Sequence, residues 1–237
     1  MIEIPDLGSE FHHMWEELIW LNESAPAPWT LIGAHMVALH GWARGREQIR
    51  PSRDADILVD VRTVTDGTVR LSEALLGRDY SFAGASPEGV GHRFTKGQIS
   101  IDVLGPDGVG ARADLRTVGG ARTVRVPGGT QALQRSAATE VRSRATVGTV
   151  PVPSLLGALL VKIRAILVDD QPEAQRRDAA FLLSLVDDPE AHAADLSASE
   201  RRWLGRHGYL ADPEQECYRG IANAEDAAIV YRRLAKL

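Results

Sequence analysis

The segment Arg50-Pro51-Ser52-Arg53-Asp54-Ala55-Asp56-Ile57-Leu58-Val59-Asp60 carries two acids, one residue apart on a strand, into an apolar run. Side chains alternate along a strand, so Asp54 and Asp56 project from one face, about 7 Å apart. Two acids on one face repel, and burying them is costly unless positive charge sits between them. A divalent metal answers both demands. Hard carboxylate oxygens suit Mg²⁺, and phosphoryl transfer is a common reason to hold it. A D-x-D pair is also found as two solvated turn residues, so the pair needs support from elsewhere in the chain.

Two segments supply that support. Trp29-Thr30-Leu31-Ile32-Gly33-Ala34-His35 reads as a short apolar strand ending in glycine, and residues 36 to 42 read as a helix. A strand–glycine–helix turn presents free N–H groups at a helix start, which attract phosphate. In Ile99-Ser100-Ile101-Asp102-Val103, the β-branched residues alternate with Ser100 and Asp102. A third acid therefore stands on a strand.

Leu31-Ile32-Gly33-Ala34, Arg50-Pro51-Ser52-Arg53-Asp54-Ala55-Asp56, His92-Arg93-Phe94 and Ile101-Asp102-Val103-Leu104 follow one another in the order of the nucleotidyltransferase superfamily. Over residues 27 to 186 the chain resembles that superfamily. Within it, the chain looks like the minimal bacterial branch that includes AbiEii-type toxins of toxin–antitoxin pairs. The resemblance implies an α+β fold, a nucleotidyltransferase-like mixed β-sheet flanked by helices and followed by a C-terminal helical region. It implies that Asp54, Asp56 and Asp102 bind Mg²⁺ or Mn²⁺, with Asp102 also helping to deprotonate the attacking hydroxyl. Gly33, Ala34 and the neighbouring backbone would hold the triphosphate, joined by Arg50 and Ser52. The reaction would move a nucleoside monophosphate from a nucleoside triphosphate to a hydroxyl on tRNA, a protein or a small molecule. A cognate antitoxin would be a partner. Two departures stand out. Gly33-Ala34 replaces the usual Gly-Gly or Gly-Ser, so Ala34 brings an N–H but no hydroxyl. His35 then has three readings: a substitute phosphate donor, a packed ring or a solvent-facing one.

The length of 237 residues suffices for a sizeable core. The expected division is a catalytic α/β domain over 1–150 and a helical region over 151–237. A net charge of −5 argues against a generally basic nucleic-acid binder. A local basic stretch remains, with Arg44, Arg46, Arg50 and Arg53 just before the acids. It reads either as a surface for phosphate or an RNA end, or as a solvated loop. A single cysteine, Cys217, allows no intrachain disulfide and fits a reducing cytosol. The start lacks a signal-like run, and residues 155 to 168 are too short to span a bilayer and contain Lys162 and Arg164. A cytoplasmic protein without membrane partners is expected.

Helical periodicity marks residues 8 to 23, with Phe11, Met14, Trp15, Leu18 and Ile19 on one face. Residues 71 to 76 suggest a short helix, 80 to 104 a β-meander, and 123 to 126 a short strand in a glycine-rich loop. From Pro151 the character turns helical, with Ser154 as N-cap. Lys162 lies in a nearly all-apolar helix and must be phosphate-binding, carboxylate-paired or snorkelling to solvent. The resembling family carries a lysine on this helix, which would make Lys162 catalytic or nucleotide-binding. In the next helix Asp178 shares a face with Phe181, Leu182 and Leu185, which invites a basic partner such as Lys162; the resemblance would make Asp178 nucleotide-binding as well. Phe181 stands where the family has another acid, the second departure. From about residue 189 the chain reads as short helices, one starting at Ser197, and the last carrying Tyr231, Leu234 and Leu237 into packing. The competing expectation is a catalytically degenerate member of the same fold that binds nucleotide or regulates a partner.

Overall fold

The computed structural model describes residues 1–47, 52–206 and 208–237. The chain divides into two compact units, Met1–Val161 and Lys162–Leu237. The division falls eleven residues beyond the expected 150/151 boundary, inside a helix.

In chain order the first unit contains β1 (Ile2–Glu3), α1 (Ser9–Ser24), β2 (Trp29–Ile32), α2 (Gly33–Trp42), β3 (Asp54–Val59) and α3 (Gly67–Gly77). There follow β4 (Ser81–Phe82), β5 (Arg93–Lys96), β6 (Ile99–Pro106), β7 (Arg125–Val126), α4 (Gly129–Gln134), β8 (Ser136–Ser143) and β9 (Thr146–Pro153). The main sheet has the order β2-β3-β6-β5-β4, with β7 also on β6. β3 and β6 run parallel, while β2 and β5 are antiparallel to their neighbours, so the sheet is mixed. β6 is buried along its whole length, and Ile57, Leu58, Leu31 and Phe94 join it in the core. The architecture is α+β, as the sequence leads one to expect.

α1 forms because its apolar residues recur at helical spacing, and Met14, Trp15, Leu18 and Leu21 are wholly buried. Its buried face also carries Glu17. That carboxylate is met by Lys96 Nζ at 3.2 Å and by Arg78 Nη2 at 3.4 Å. The two cations supply the charge that its burial requires.

A second sheet, β1-β8-β9, was not expected from the sequence. The helical character expected from Pro151 begins only at Leu155, because β9 continues through Pro153. Prolines 151 and 153 argue against a central strand, but β9 is an edge of its sheet, where a missing N–H is tolerated. The hairpin turns through Arg144 and Ala145, with Arg144 at a φ of +54°. That turn has neither Gly nor Asn to announce it. Ser154 caps the following helix as expected, its hydroxyl accepting the Gly157 N–H at 3.3 Å.

That helix, α5, runs Leu155–Ala165. In the second unit follow α6 (Glu173–Ser184), α7 (Pro189–Ala194), α8 (Ala198–Leu204) and α9 (Ala224–Ala235). Pro172 sits just before α6, and Ser197 with Glu200 closes a reciprocal capping box on α8. In α9 Tyr231 and Leu234 are buried and the Tyr231 hydroxyl donates to Leu204 O at 2.9 Å. Leu237 is exposed, since the helix ends two residues earlier. Among the described residues no helix is long and apolar enough to cross a membrane.

Candidate functional site

The main sheet brings the sequence's three acids together by register. β3 and β6 lie in parallel with Asp54 beside Ser100 and Asp56 beside Asp102. Residues paired across neighbouring strands share a face. Ser100 Oγ donates to Asp54 Oδ1 at 2.5 Å, fixing that carboxylate at the mouth of the row. On the far side of β6, Arg93 of β5 is the cross-strand partner of Asp102.

Gly33 enters from the other side. β2 pairs antiparallel with β3, so its last residue, Ile32, lies opposite Asp56, and the chain then turns into α2. Gly33 has a φ of +72°, where glycine carries no steric penalty. A Cβ at Gly33 would lie 1.8 Å from Asp56 Oδ2. The glycine is therefore demanded twice, by the turn and by the carboxylate against it. Ala34 follows inside α2 with no positive φ, so it takes its place without backbone strain.

Arg93 brings positive charge to Asp102 and Asp54. Its Nε donates to Asp102 Oδ1 at 2.9 Å and its Nη2 to Oδ2 at 2.8 Å. Nη2 also lies 3.9 Å from Asp54 Oδ2. The hydrogen bonds and charge of Asp102, aided by Asp54 and Asp56, hold the guanidinium still more firmly protonated than usual. His92 Nε2 is 3.8 Å from Asp102 Oδ2. Among the described residues, no three His, Cys, Asp or Glu side chains converge closely enough to form a metal cage as they stand. The donor set is nonetheless of the right chemical kind for Mg²⁺, with three strand carboxylates in adjoining positions.

The other sequence candidates are distributed unevenly. Ser52 uses its hydroxyl on the start of β3, accepting the Asp54 N–H at 3.2 Å. Arg50 lies outside the described residues. Arg44, Arg46 and Arg53 are exposed, and Arg53 Nη1 donates to Gln98 Oε1 at 2.7 Å. His35 is a packed ring and not a solvent-facing one. It is buried, with ring centroids 5.4 Å from Phe11 and 5.5 Å from Trp15. Burial pushes its pKa down to about 4, against the smaller opposing effects of the Ser52 backbone and Asp54. A neutral ring in an aromatic pocket is a poor anchor for phosphate.

In the second unit Lys162 is carboxylate-paired. Its Nζ lies 2.8 Å from Asp178 Oδ2 and donates to Gln175 Oε1 at 3.0 Å. Gln175 in turn donates to Asp169 Oδ2 at 3.0 Å. Both charged side chains are buried, so each neutralises the other's desolvation cost. Phe181 is buried on the same helix. Arg164 lies 4.5 Å over the Trp203 ring and is only partly exposed.

Ser100 is legible in the sequence only as part of a strand, and Arg93 only within the His92-Arg93-Phe94 segment, with no role for either. The signal for Arg93 was in the hairpin. Gly97 at the first central position of Lys96-Gly97-Gln98-Ile99 suits a tight two-residue turn. Counting back from that turn pairs residue 93 with residue 102.

No family model and no curated protein matches the chain. A solved structure, the crystal structure of an antigenic nucleotidyltransferase-like protein from Paracoccidioides brasiliensis, is similar with 16% sequence identity and a TM-score of 0.47, over 83% of this chain and 86% of that one.

Proposed function

We propose that the chain is a metal-dependent nucleotidyltransferase, moving a nucleoside monophosphate from a nucleoside triphosphate to a hydroxyl acceptor and releasing pyrophosphate. The observation that carries this is the row formed by Gly33, Asp56 and Asp102, with Asp54 one step along the same face. Asp54, Asp56 and Asp102 are the residues to hold Mg²⁺ or Mn²⁺. The bound ion would stabilise negative charge building on the phosphoryl oxygens. Gly33 and the Ala34 N–H, at the start of α2, cradle the triphosphate where the helix dipole favours an anion. Asp102 helps to take the proton from the attacking hydroxyl. Lys162 and Asp178 serve here as a buried pair that orders the second unit.

The acceptor we favour is a tRNA 3′ end, with a protein hydroxyl next. The exposed Arg44, Arg46 and Arg53 offer a local basic surface on a chain that is acidic overall. Growth arrest by such a transfer would make the protein the toxin of a toxin–antitoxin pair, acting in the cytoplasm with a cognate antitoxin. The test is incubation with each labelled nucleoside triphosphate, Mg²⁺ and total tRNA. Label should appear on RNA or protein and vanish in Asp56→Ala. No transfer to any acceptor by folded protein sinks the reading.

One observation favours a second reading. Arg93 already grips both oxygens of Asp102, as it would in a degenerate site that binds nucleotide without metal. Calorimetry separates the two: nucleotide binding independent of Mg²⁺ supports the degenerate module, and Mg²⁺-dependent binding supports the enzyme.

A further inference from the structure

We infer that Arg93 is a positioning residue that competes with the metal for Asp102, and so sets how tightly this site takes a divalent cation. The inference rests on the reading of Asp54, Asp56 and Asp102 as the metal-holding acids. The register makes the competition unavoidable. Arg93 is the cross-strand partner of Asp102, and Asp102 stands beside Asp56, so cation and acids share one row on one face of three adjoining strands.

The grip is of the strong kind. Two parallel N–H donors meet the two carboxylate oxygens at 2.9 and 2.8 Å, the geometry a guanidinium fork offers and an ammonium does not. The same Nη2 lies 3.9 Å from Asp54, so the guanidinium leans over the pair of acids that a metal would need. A dication placed on those acids would sit close to a fixed positive charge, and like charges at this range disfavour one another.

Exposure decides which partner yields. The Asp102 side chain is 7% exposed and held within a buried strand, whereas the Arg93 side chain is 46% exposed. The arginine has solvent to swing into and the acid has none. A released guanidinium also has a natural counter-charge in the triphosphate, which would arrive together with the metal. Wild-type protein should therefore take metal weakly on its own, and losing the guanidinium should strengthen that binding.

The experiment is Mn²⁺ titration of the full chain without nucleotide, followed by the electron paramagnetic resonance signal of free Mn²⁺. Wild type is compared with Arg93→Gln, Arg93→Lys and Asp54→Asn, each checked for folding by thermal melt. Removing a positive charge this near the ion should tighten Mn²⁺ binding by about tenfold or more in Arg93→Gln. Arg93→Lys keeps the charge but loses the fork, and should fall between Arg93→Gln and wild type. It also carries the test if Arg93→Gln does not fold. If a folded Arg93 variant binds Mn²⁺ no tighter than wild type while Asp54→Asn abolishes binding, the competition is overturned and the metal site stands. If none of the folded proteins binds Mn²⁺, or Asp54→Asn leaves binding unchanged, the metal reading falls and this inference with it.

Discussion

Arg93 and Asp102 face one another across β5 and β6 and close a two-pronged ion pair, Nε to Oδ1 at 2.9 Å and Nη2 to Oδ2 at 2.8 Å. This pair explains how an acid can stand in a strand that is buried from end to end. Asp102 loses its water to the core and regains two charge-assisted hydrogen bonds from the neighbouring strand. The same pair gives the face of the sheet its electrostatic balance. Arg93 Nη2 also lies 3.9 Å from Asp54 Oδ2, so one guanidinium eases the repulsion between two acids of the face.

Gly33→Ala should damage the site far more than the fold. Backbone strain in the left-handed region costs roughly 1–2 kcal/mol. The added Cβ would fall 1.8 Å from Asp56 Oδ2, so the carboxylate must also move. We expect Mn²⁺ binding and nucleotidyl transfer to fall by about tenfold or more, with a modest drop in melting temperature. Gly45→Ala is the control, because Gly45 has a φ of +63° and open space where its Cβ would go. It should show the strain without the loss of binding; equal binding losses in both variants would refute the close-contact argument.

Lys162 and Asp178 should show the asymmetry of a buried ion pair. Lys162→Met takes the Lys162 ammonium away from Asp178, which is 2% exposed. Removing one partner of such a pair typically costs about 3–5 kcal/mol, whereas replacing both with apolar groups is often close to neutral. Urea unfolding should therefore rank Lys162→Met well below Lys162→Met/Asp178→Leu. If the double variant is the less stable, the pair contributes net stability beyond relieving its own burial cost.

The legible part of this fold was the part built from local pattern. α1, β2, α2, β3 and β6 announced themselves by period, and Gly33 by its place between a strand and a helix. The site acids were legible for the same reason, since i and i+2 on a strand share a face. What the sequence hid depended on pairing across distance. Arg93 acquires its role only because β5 sets it opposite Asp102. The β8–β9 hairpin hid behind a turn without glycine and behind two prolines that only an edge strand tolerates. His35 is ambiguous in the sequence because the rings that pack on it, Phe11 and Trp15, stand on another helix. Lys162 was the instructive intermediate case: the cost of burying it dictated a partner, and Asp178 on the next helix was the acid whose own apolar face demanded one.

Acid should weaken the fold well above the range in which ordinary carboxylates titrate. Burial pushes the pKa of His35 down from 6.5 to about 4, and that of His40 likewise. Each ring is neutral when folded and binds a proton more readily once unfolded. Their contribution is therefore fully present above the unfolded value of 6.5 and is lost as the pH falls from there toward 4. For His35 the loss amounts to about 3 kcal/mol at the low end. Urea midpoints at pH 7, 5.5 and 4.5 should decline steadily, and His35→Leu should decline less. A flat profile across that window would contradict the buried neutral ring.

Gly148 and Ile19 offer a test of how α1 seats on the hairpin. Gly148 lies on β9, and a Cβ there would stand 2.3 Å from Ile19 Cγ2. Gly148→Ala overfills that contact and should cost about 1–3 kcal/mol. Ile19→Ala removes the Cγ2 atom and should cost about 2–5 kcal/mol through the cavity it leaves. Together the new methyl occupies part of the space the isoleucine vacated, so the double variant should be more stable than the sum of the two losses. A coupling of about 0.5–3 kcal/mol in a double-mutant cycle is the expected size for residues in direct contact. Strict additivity would mean that α1 and β9 do not meet at these two residues. Coupling would show instead that glycine stands at 148 because the helix requires its absent side chain.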